Sequence, residues 1–217
     1  MGTKRNVRGY TAAEEWVHAG SHGLGVALAA CALVMLLLKA DGTLQISAVA
    51  IYGGCMILMY LCSTLYHAAY NSAAQPFLKM LDHASIYFKI AGSYTPLALI
   101  SLPTSTGLWV LAGAWAAALT GTVFKLTAFV KKSGRRLNYV SLAMYLAMGW
   151  AGLLMISPLS EALPDAAIYW LLAGGACFSI GAIFYAIKSV PYFHAIWHVF
   201  VLAGSACHFA AIYCYVI

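Results

Sequence analysis

The chain has 217 residues, of which 63% are hydrophobic and 8% charged, with a mean hydropathy of +0.84 and a formal net charge of +6. Soluble domains carry roughly 25% charged residues, so this composition excludes an ordinary soluble enzyme and describes an integral membrane protein. At about 20 apolar residues per span, the length holds about six to eight spanning helices and little else.

Residues 1–16 are polar and basic and read as a cytoplasmic tail or interfacial helix, set before a spanning domain over 17–217. The basic start (Lys4, Arg5, Arg8) and the run Leu28 to Cys31 superficially suggest a processed lipoprotein. However, the apolar run continues through Leu38, and Glu14, Glu15, His18 and His22 interrupt what precedes it, so no processing is expected. Apolar periodicity and its Pro/Gly punctuation predict spans over 20–38, 45–67, 80–101, 107–127, 138–157, 165–187 and 193–216. Pro103, Pro158 and Pro164 fall at the boundaries as helix stops or starts. The cysteines (Cys31, Cys55, Cys62, Cys177, Cys207, Cys214) all lie in apolar runs without a C-x-x-C pair, and read as small buried hydrophobes.

The predicted fold class is therefore all-α, a seven-transmembrane helix bundle. Placing the N-terminus in the cytoplasm puts Lys4, Arg5, Arg8, Lys79, Lys125, Lys131, Lys132, Arg135, Arg136 and Lys188 on that side, while Lys39 falls outside. Excess Lys and Arg mark cytoplasmic loops, so the expected topology is N-terminus in and C-terminus out. The basic loop from Lys131 to Arg136 is a topology determinant that also meets anionic lipid. No nucleic-acid module surrounds it, and nucleic acid is not an expected partner.

This topology brings distant polar groups to one depth. His67 ends the second span, Asp82 and His83 open the third, Glu14, Glu15, His18 and His22 lie at the start of the first, and His194 and His198 start the seventh. All belong to the cytoplasmic leaflet, and ionisable groups within a membrane are functional candidates. His194 and His198, at i and i+4, share one helix face. With His67 they make three imidazoles with room for an open position, which describes a catalytic type of zinc site. Ser63 is one turn before His67, where its hydroxyl can hydrogen-bond a metal-bound water or a ligand. Asp82 can accept that water's proton or hold a ligating histidine in the right tautomer. Spacing alone leaves a second reading open, a hydrogen-bonded polar network without metal. Glu15 either buttresses a ligand or, with Glu14, stabilises a helix N-terminus.

The chain resembles the bacterial hemolysin III-related proteins, relatives of the progestin and adipoQ receptor family and, through a shared pattern, of the alkaline ceramidases. The resemblance covers nearly the whole chain. It rests on Glu14-Glu15 through Ser21-His22, Ser63-Thr64-Leu65-Tyr66-His67, and Asp82-His83 with Gly92-Ser93-Tyr94-Thr95-Pro96. The C-terminal part is Pro191 through His194-Ala195-Ile196-Trp197-His198 to Cys207-His208-Phe209. It implies a seven-helix fold with zinc held by His67, His194 and His198, and with Ser63 and Asp82 at the metal water. It also implies a bacterial origin, and the inner membrane follows as the place for a bundle of apolar helices.

Two residues depart from the pattern. His18 stands where the bacterial relatives tend to carry Asn, and is expected to be a hydrogen-bonded first-helix histidine. Lys89, at i+7 from Asp82, needs a carboxylate or carbonyl partner that the sequence does not name. His208 is about 15 Å along the helix from His198, too far to share an ion, and is expected to hydrogen-bond a neighbouring helix.

The leading expectation is a zinc-dependent hydrolase acting on a lipid amide or ester from the cytoplasmic leaflet, the substrate class coming from the resemblance to ceramidases. The alternatives are a pore-forming, cytolytic protein, in which homo-oligomers would line the pore, and a sensor or regulator of membrane state with structural zinc. Membrane lipids are the expected partners.

Overall fold

The computed structural model describes residues 9–131 and 136–217, without the side chains of Arg136 and Asn138. Lys4, Arg5, Arg8, Lys132 and Arg135, on which the expected orientation partly rests, lie outside the described residues. The fold is all-helical. In chain order the helices are α1 (Ala12–Lys39), α2 (Gly42–Ala68), α3 (Gln75–Pro96), α4 (Thr104–Val130), α5 (Arg136–Trp150), α6 (Ile156–Ala162), α7 (Asp165–Ala186) and α8 (Phe193–Tyr215).

Six segments among the described residues are long and apolar enough to cross a membrane: α1, α2, α4, Tyr139–Ala162, α7 and α8. Their outer faces carry Leu38, Trp109, Val130 and Leu154, each at least 70% exposed. Apolar side chains presented this widely are the mark of a lipid-facing surface. α3 is 22 residues long, but Lys79, Asp82, His83 and Lys89 make it too polar to join the six.

Two of the boundaries that differ from the sequence-based expectation have a clear physical reason. α1 begins at Ala12, eight residues before the predicted span. Thr11 and Glu14 form a capping box, Glu14 N–H donating to Thr11 Oγ1 at 3.2 Å and Thr11 N–H to Glu14 Oε2 at 2.8 Å. Such reciprocal capping satisfies the orphan amides of a helix start. Pro158 does not end the fifth span. A 3₁₀ turn (Ala151–Met155) follows α5, and Pro158 is the third residue of α6, where its missing N–H is one of the unbonded ones anyway. Pro96 likewise lies within the helical path, which continues as a π turn over Leu97–Ser101.

Neighbours in sequence pack side by side from α1 through α4, α7 packs on α8, and α8 returns to α1. Residues without side chains allow the closest approaches. A Cβ on Gly25 would lie 2.7 Å from the Tyr60 ring, and one on Gly174 only 2.3 Å from the His208 imidazole. Helix pairs in membranes depend on such small residues. All six cysteines are unpaired, but none is buried as expected: Cys31 and Cys214 are exposed and the other four half-buried, because apolar helix faces here turn to lipid as well as to the core.

Candidate metal centre

The bundle closes where α8 meets α1, and this junction collects the polar starts and ends of three helices. α1 contributes Glu15, His18, Ser21 and His22, α2 contributes Ser63 and His67, and α8 contributes His194 and His198. Glu15, His18 and His67 are each 0% exposed and His198 is 1% exposed. Water therefore cannot satisfy these groups, and each must find its partner inside the protein.

Two of the ring orientations are fixed by named partners. His67 Nδ1 lies 2.6 Å from Glu15 Oε2 and donates to it, which leaves His67 Nε2 as a bare lone pair. Ser21 Oγ spends its proton on the His18 carbonyl at 2.9 Å. It must then accept from His198 Nδ1, also at 2.9 Å, and His198 Nε2 is bare as well. Both bare nitrogens point at His194 Nε2, at 3.2 Å from His67 and 3.1 Å from His198. A neutral His194 can offer one proton to one of them, while its own Nδ1 has no hydrogen-bond partner. Three imidazole nitrogens converging with at most one proton among them is a donor set for a cation. The arrangement can hold a metal ion, and the residues fit one.

A further ring joins them. His18 offers a nitrogen that, with those of His67 and His194, lies in a set all within 4.8 Å of one another. Neither of its nitrogens has a hydrogen-bond partner, so the expected hydrogen-bonded histidine is not what the fold makes of it. Its Nδ1 is 3.9 Å from Glu15 Oε2. His22 is stacked on His198 with centroids 3.5 Å apart and rings 6° from parallel. Tyr10 closes the cluster from outside, its ring 5.0 Å from that of His18 and 5.4 Å from that of His194. Burial holds the Tyr10 phenol above its ordinary pKa, so it covers the centre as a neutral group.

Ser63 and Asp82 stand beside this centre. Both line a cavity of about 190 Å³ together with His22, His194 and His198. Toward its other end the cavity is apolar, bounded by Leu97, Met155, Leu159, Ile168 and Ile212. His83 does not join the metal set. Its Nδ1 donates to the Lys79 carbonyl at 2.6 Å and its Nε2 accepts from the Tyr185 hydroxyl at 3.1 Å. Lys89 lines the cavity without a carboxylate partner, its Nζ lying 3.7 Å from the centroid of the Phe178 ring. His208 Nε2 bonds the Leu171 carbonyl of α7 at 3.3 Å, the interhelical contact expected of it.

The Glu15 and Ser21 bonds were not decided by the sequence, because each joins residues far apart in the chain. The only sequence sign is position: both lie on the face of α1 that also carries His18 and His22. The lead-in to α8 is itself unusual. Tyr192 has φ 62°, a left-handed conformation rare outside glycine, and its N–H donates to Glu14 Oε1 at 3.1 Å. Glu14 thereby ties the start of α1 to the turn that presents His194.

Known proteins resemble this chain over most of its length. A sequence profile of the family described as Haemolysin-III related matches residues 10–209. The chain is 40% identical over 209 residues to the Hemolysin-3 homolog of Bacillus subtilis (strain 168), covering 95% of this chain and 96% of that protein. It is 41% identical over 207 residues to Hemolysin-3 of Bacillus cereus, covering 94% and 92%. It is also 29% identical over 174 residues to the monocyte to macrophage differentiation factor of Homo sapiens, covering 76% and 68%. With its membrane-type helices, its buried histidines and a match of this extent, the chain belongs to the haemolysin-III related family.

Proposed function

We propose that this family member is a multi-pass protein of the bacterial inner membrane. In this reading it spans seven times, with α3 as the polar third span, the N-terminus in the cytoplasm and the C-terminus outside. It binds zinc through His67, His194 and His198 and hydrolyses an amide or ester of a membrane lipid from the cytoplasmic leaflet.

One observation carries this reading: the Nε2 atoms of His67 and His198 lie 3.2 and 3.1 Å from that of His194. Nitrogens about 2.0–2.1 Å from a tetrahedral zinc stand about 3.3–3.4 Å apart, so the spacing suits that ion. Zinc, when bound, would supply Lewis acidity and bring the pKa of a coordinated water toward ~7. The rest falls to the chain. Asp82 is the proton acceptor, and the Ser63 hydroxyl helps to hold the water or the developing oxyanion. Glu15 and Ser21 hold two ligands in the tautomer that leaves Nε2 bare. The apolar end of the cavity takes an acyl chain and excludes water from the reacting carbonyl.

The test is elemental analysis of the purified protein together with mass-spectrometric profiling of membrane lipids incubated with it. The reading expects one zinc per chain and a lipid product that disappears in Asp82→Asn. It fails if zinc is absent, or if replacing His194 and His198 leaves metal content unchanged. The name Hemolysin-3 borne by the Bacillus cereus relative supports a second, lytic reading. Liposome leakage that persists in His67→Ala would favour that one.

A further inference from the structure

His18 is the residue for which the three-histidine centre leaves no use. It is fully buried, and neither ring nitrogen has a hydrogen-bond partner. A buried imidazole without a partner has lost its hydration and received nothing in return. Besides Tyr10, its ring neighbours are the three members of the proposed centre. The ring centroid is 4.8 Å from that of His67, 4.7 Å from that of His194 and 5.4 Å from that of His198. The ring stands nearly perpendicular to His194, at 80°, and at 62° to His67, so it does not stack on either.

The position of His18 also separates it from Ser63 and Asp82. Ser63 and Asp82 line the cavity, whereas His18 is covered by the Tyr10 ring, 5.0 Å away. Glu15 stands between the two sides, its Oε2 being 2.6 Å from His67 Nδ1 and 3.9 Å from His18 Nδ1. Of these two rings the carboxylate is thus hydrogen-bonded to His67 alone, as expected of an outer partner that orients a metal ligand, and leaves both His18 nitrogens free to face an ion.

We propose that His18 is a fourth imidazole ligand, approaching the metal from the Tyr10 side while the cavity side remains available to an exogenous ligand. The inference rests on the metal-binding reading of His67, His194 and His198, and it changes the chemistry of that centre. Zinc sites with three protein ligands keep an open fourth position, and zinc expands to five-coordinate when a further ligand arrives. A fourth nitrogen therefore tightens binding and widens the range of ions held, since imidazole also suits copper, nickel and iron.

The experiment uses the full chain in detergent or nanodiscs, loaded with zinc, and reads the number of coordinated imidazoles by X-ray absorption. Wild type should show four imidazoles and His18→Asn three, with a loss of about 10-fold or more in zinc affinity measured against a competing chelator. His18→Phe keeps a ring of similar size against Tyr10 but has no nitrogen. It should give the same loss of one imidazole, which separates coordination from packing. Three imidazoles in wild type and in both variants, with unchanged affinity, would overturn the proposal and leave the three-histidine centre standing. No bound zinc in any of the proteins would instead overturn the metal reading itself.

Discussion

Glu15 shows how much a single buried group can set. Its carboxylate is out of contact with water and meets His67 Nδ1 at 2.6 Å. A charged acceptor makes the opposite nitrogen a better donor to a metal, and losing such a partner typically weakens metal binding by about 10–100-fold. Glu15→Gln keeps the size and an acceptor oxygen but removes the charge, so it should lower metal affinity within that range in a chelator competition. An unchanged affinity would remove Glu15 from the support of the centre. Lys89 presents the opposite case. The residue is 6% exposed and its Nζ rests on the Phe178 ring, with no carboxylate among the described residues to compensate it. Cation–π contact recovers part of the lost hydration, about 0.5–2 kcal/mol, against about 2.5–3.5 kcal/mol for a lysine placed mid-membrane. Lys89→Met should therefore raise the thermal unfolding midpoint, and a lowered midpoint would show that Lys89 has a partner of another kind. The i,i+4 pair His194 and His198 was legible because helix geometry alone puts both on one face. The bonds from Ser21 to His198 and from Glu15 to His67 were not, because they depend on how α1 packs against α2 and α8.

Between elements, the fit of α7 against α8 depends on an absent side chain. Gly174 leaves room for the His208 imidazole, whose Cδ2 would stand 2.3 Å from an added Cβ, and for the bond from His208 to the Leu171 carbonyl. Gly174→Ala must push the helices apart or turn the imidazole away, a change of the overpacking kind that costs about 1–3 kcal/mol. Thermal unfolding should show that loss. His208→Ala in the same chain should recover part of it, because the deleted ring frees the space that the methyl needs. Losses that simply add would mean that the two residues do not meet. Element existence was legible from apolar runs, but element ends were less so. Pro158 looks like a stop in the sequence, yet the chain accepts it in the first turn of α6; the expected third span runs through Pro96, and the chain does so by way of a π turn. Proline removes one hydrogen bond and introduces one ring clash, and whether a helix ends there depends on what can absorb them.

At the scale of the whole molecule, the centre lies where the starts of the first and last helices meet. α8 returns to pack on α1, and His67 of α2 reaches across to His194 and His198 of α8. An ion held there bridges helices from opposite ends of the sequence and exists as a site only when the bundle is closed. Binding to the folded state alone stabilises it by about 2.7 kcal/mol when the free ion is at 100 times its dissociation constant. For a chain of this length, each kcal/mol moves the unfolding midpoint by about 2–4 °C. Removing the metal with a chelator should then lower the midpoint by about 5–11 °C, and returning zinc should restore it. His67→Ala supplies the control: lacking one bridging ligand, it should start from the lower midpoint and respond little to chelator or zinc. An equal chelator response in both proteins would place the stabilising ion elsewhere. If neither responds, His67, His194 and His198 form a polar network without a cation, and the three nitrogens must then be held together by protons shared among them.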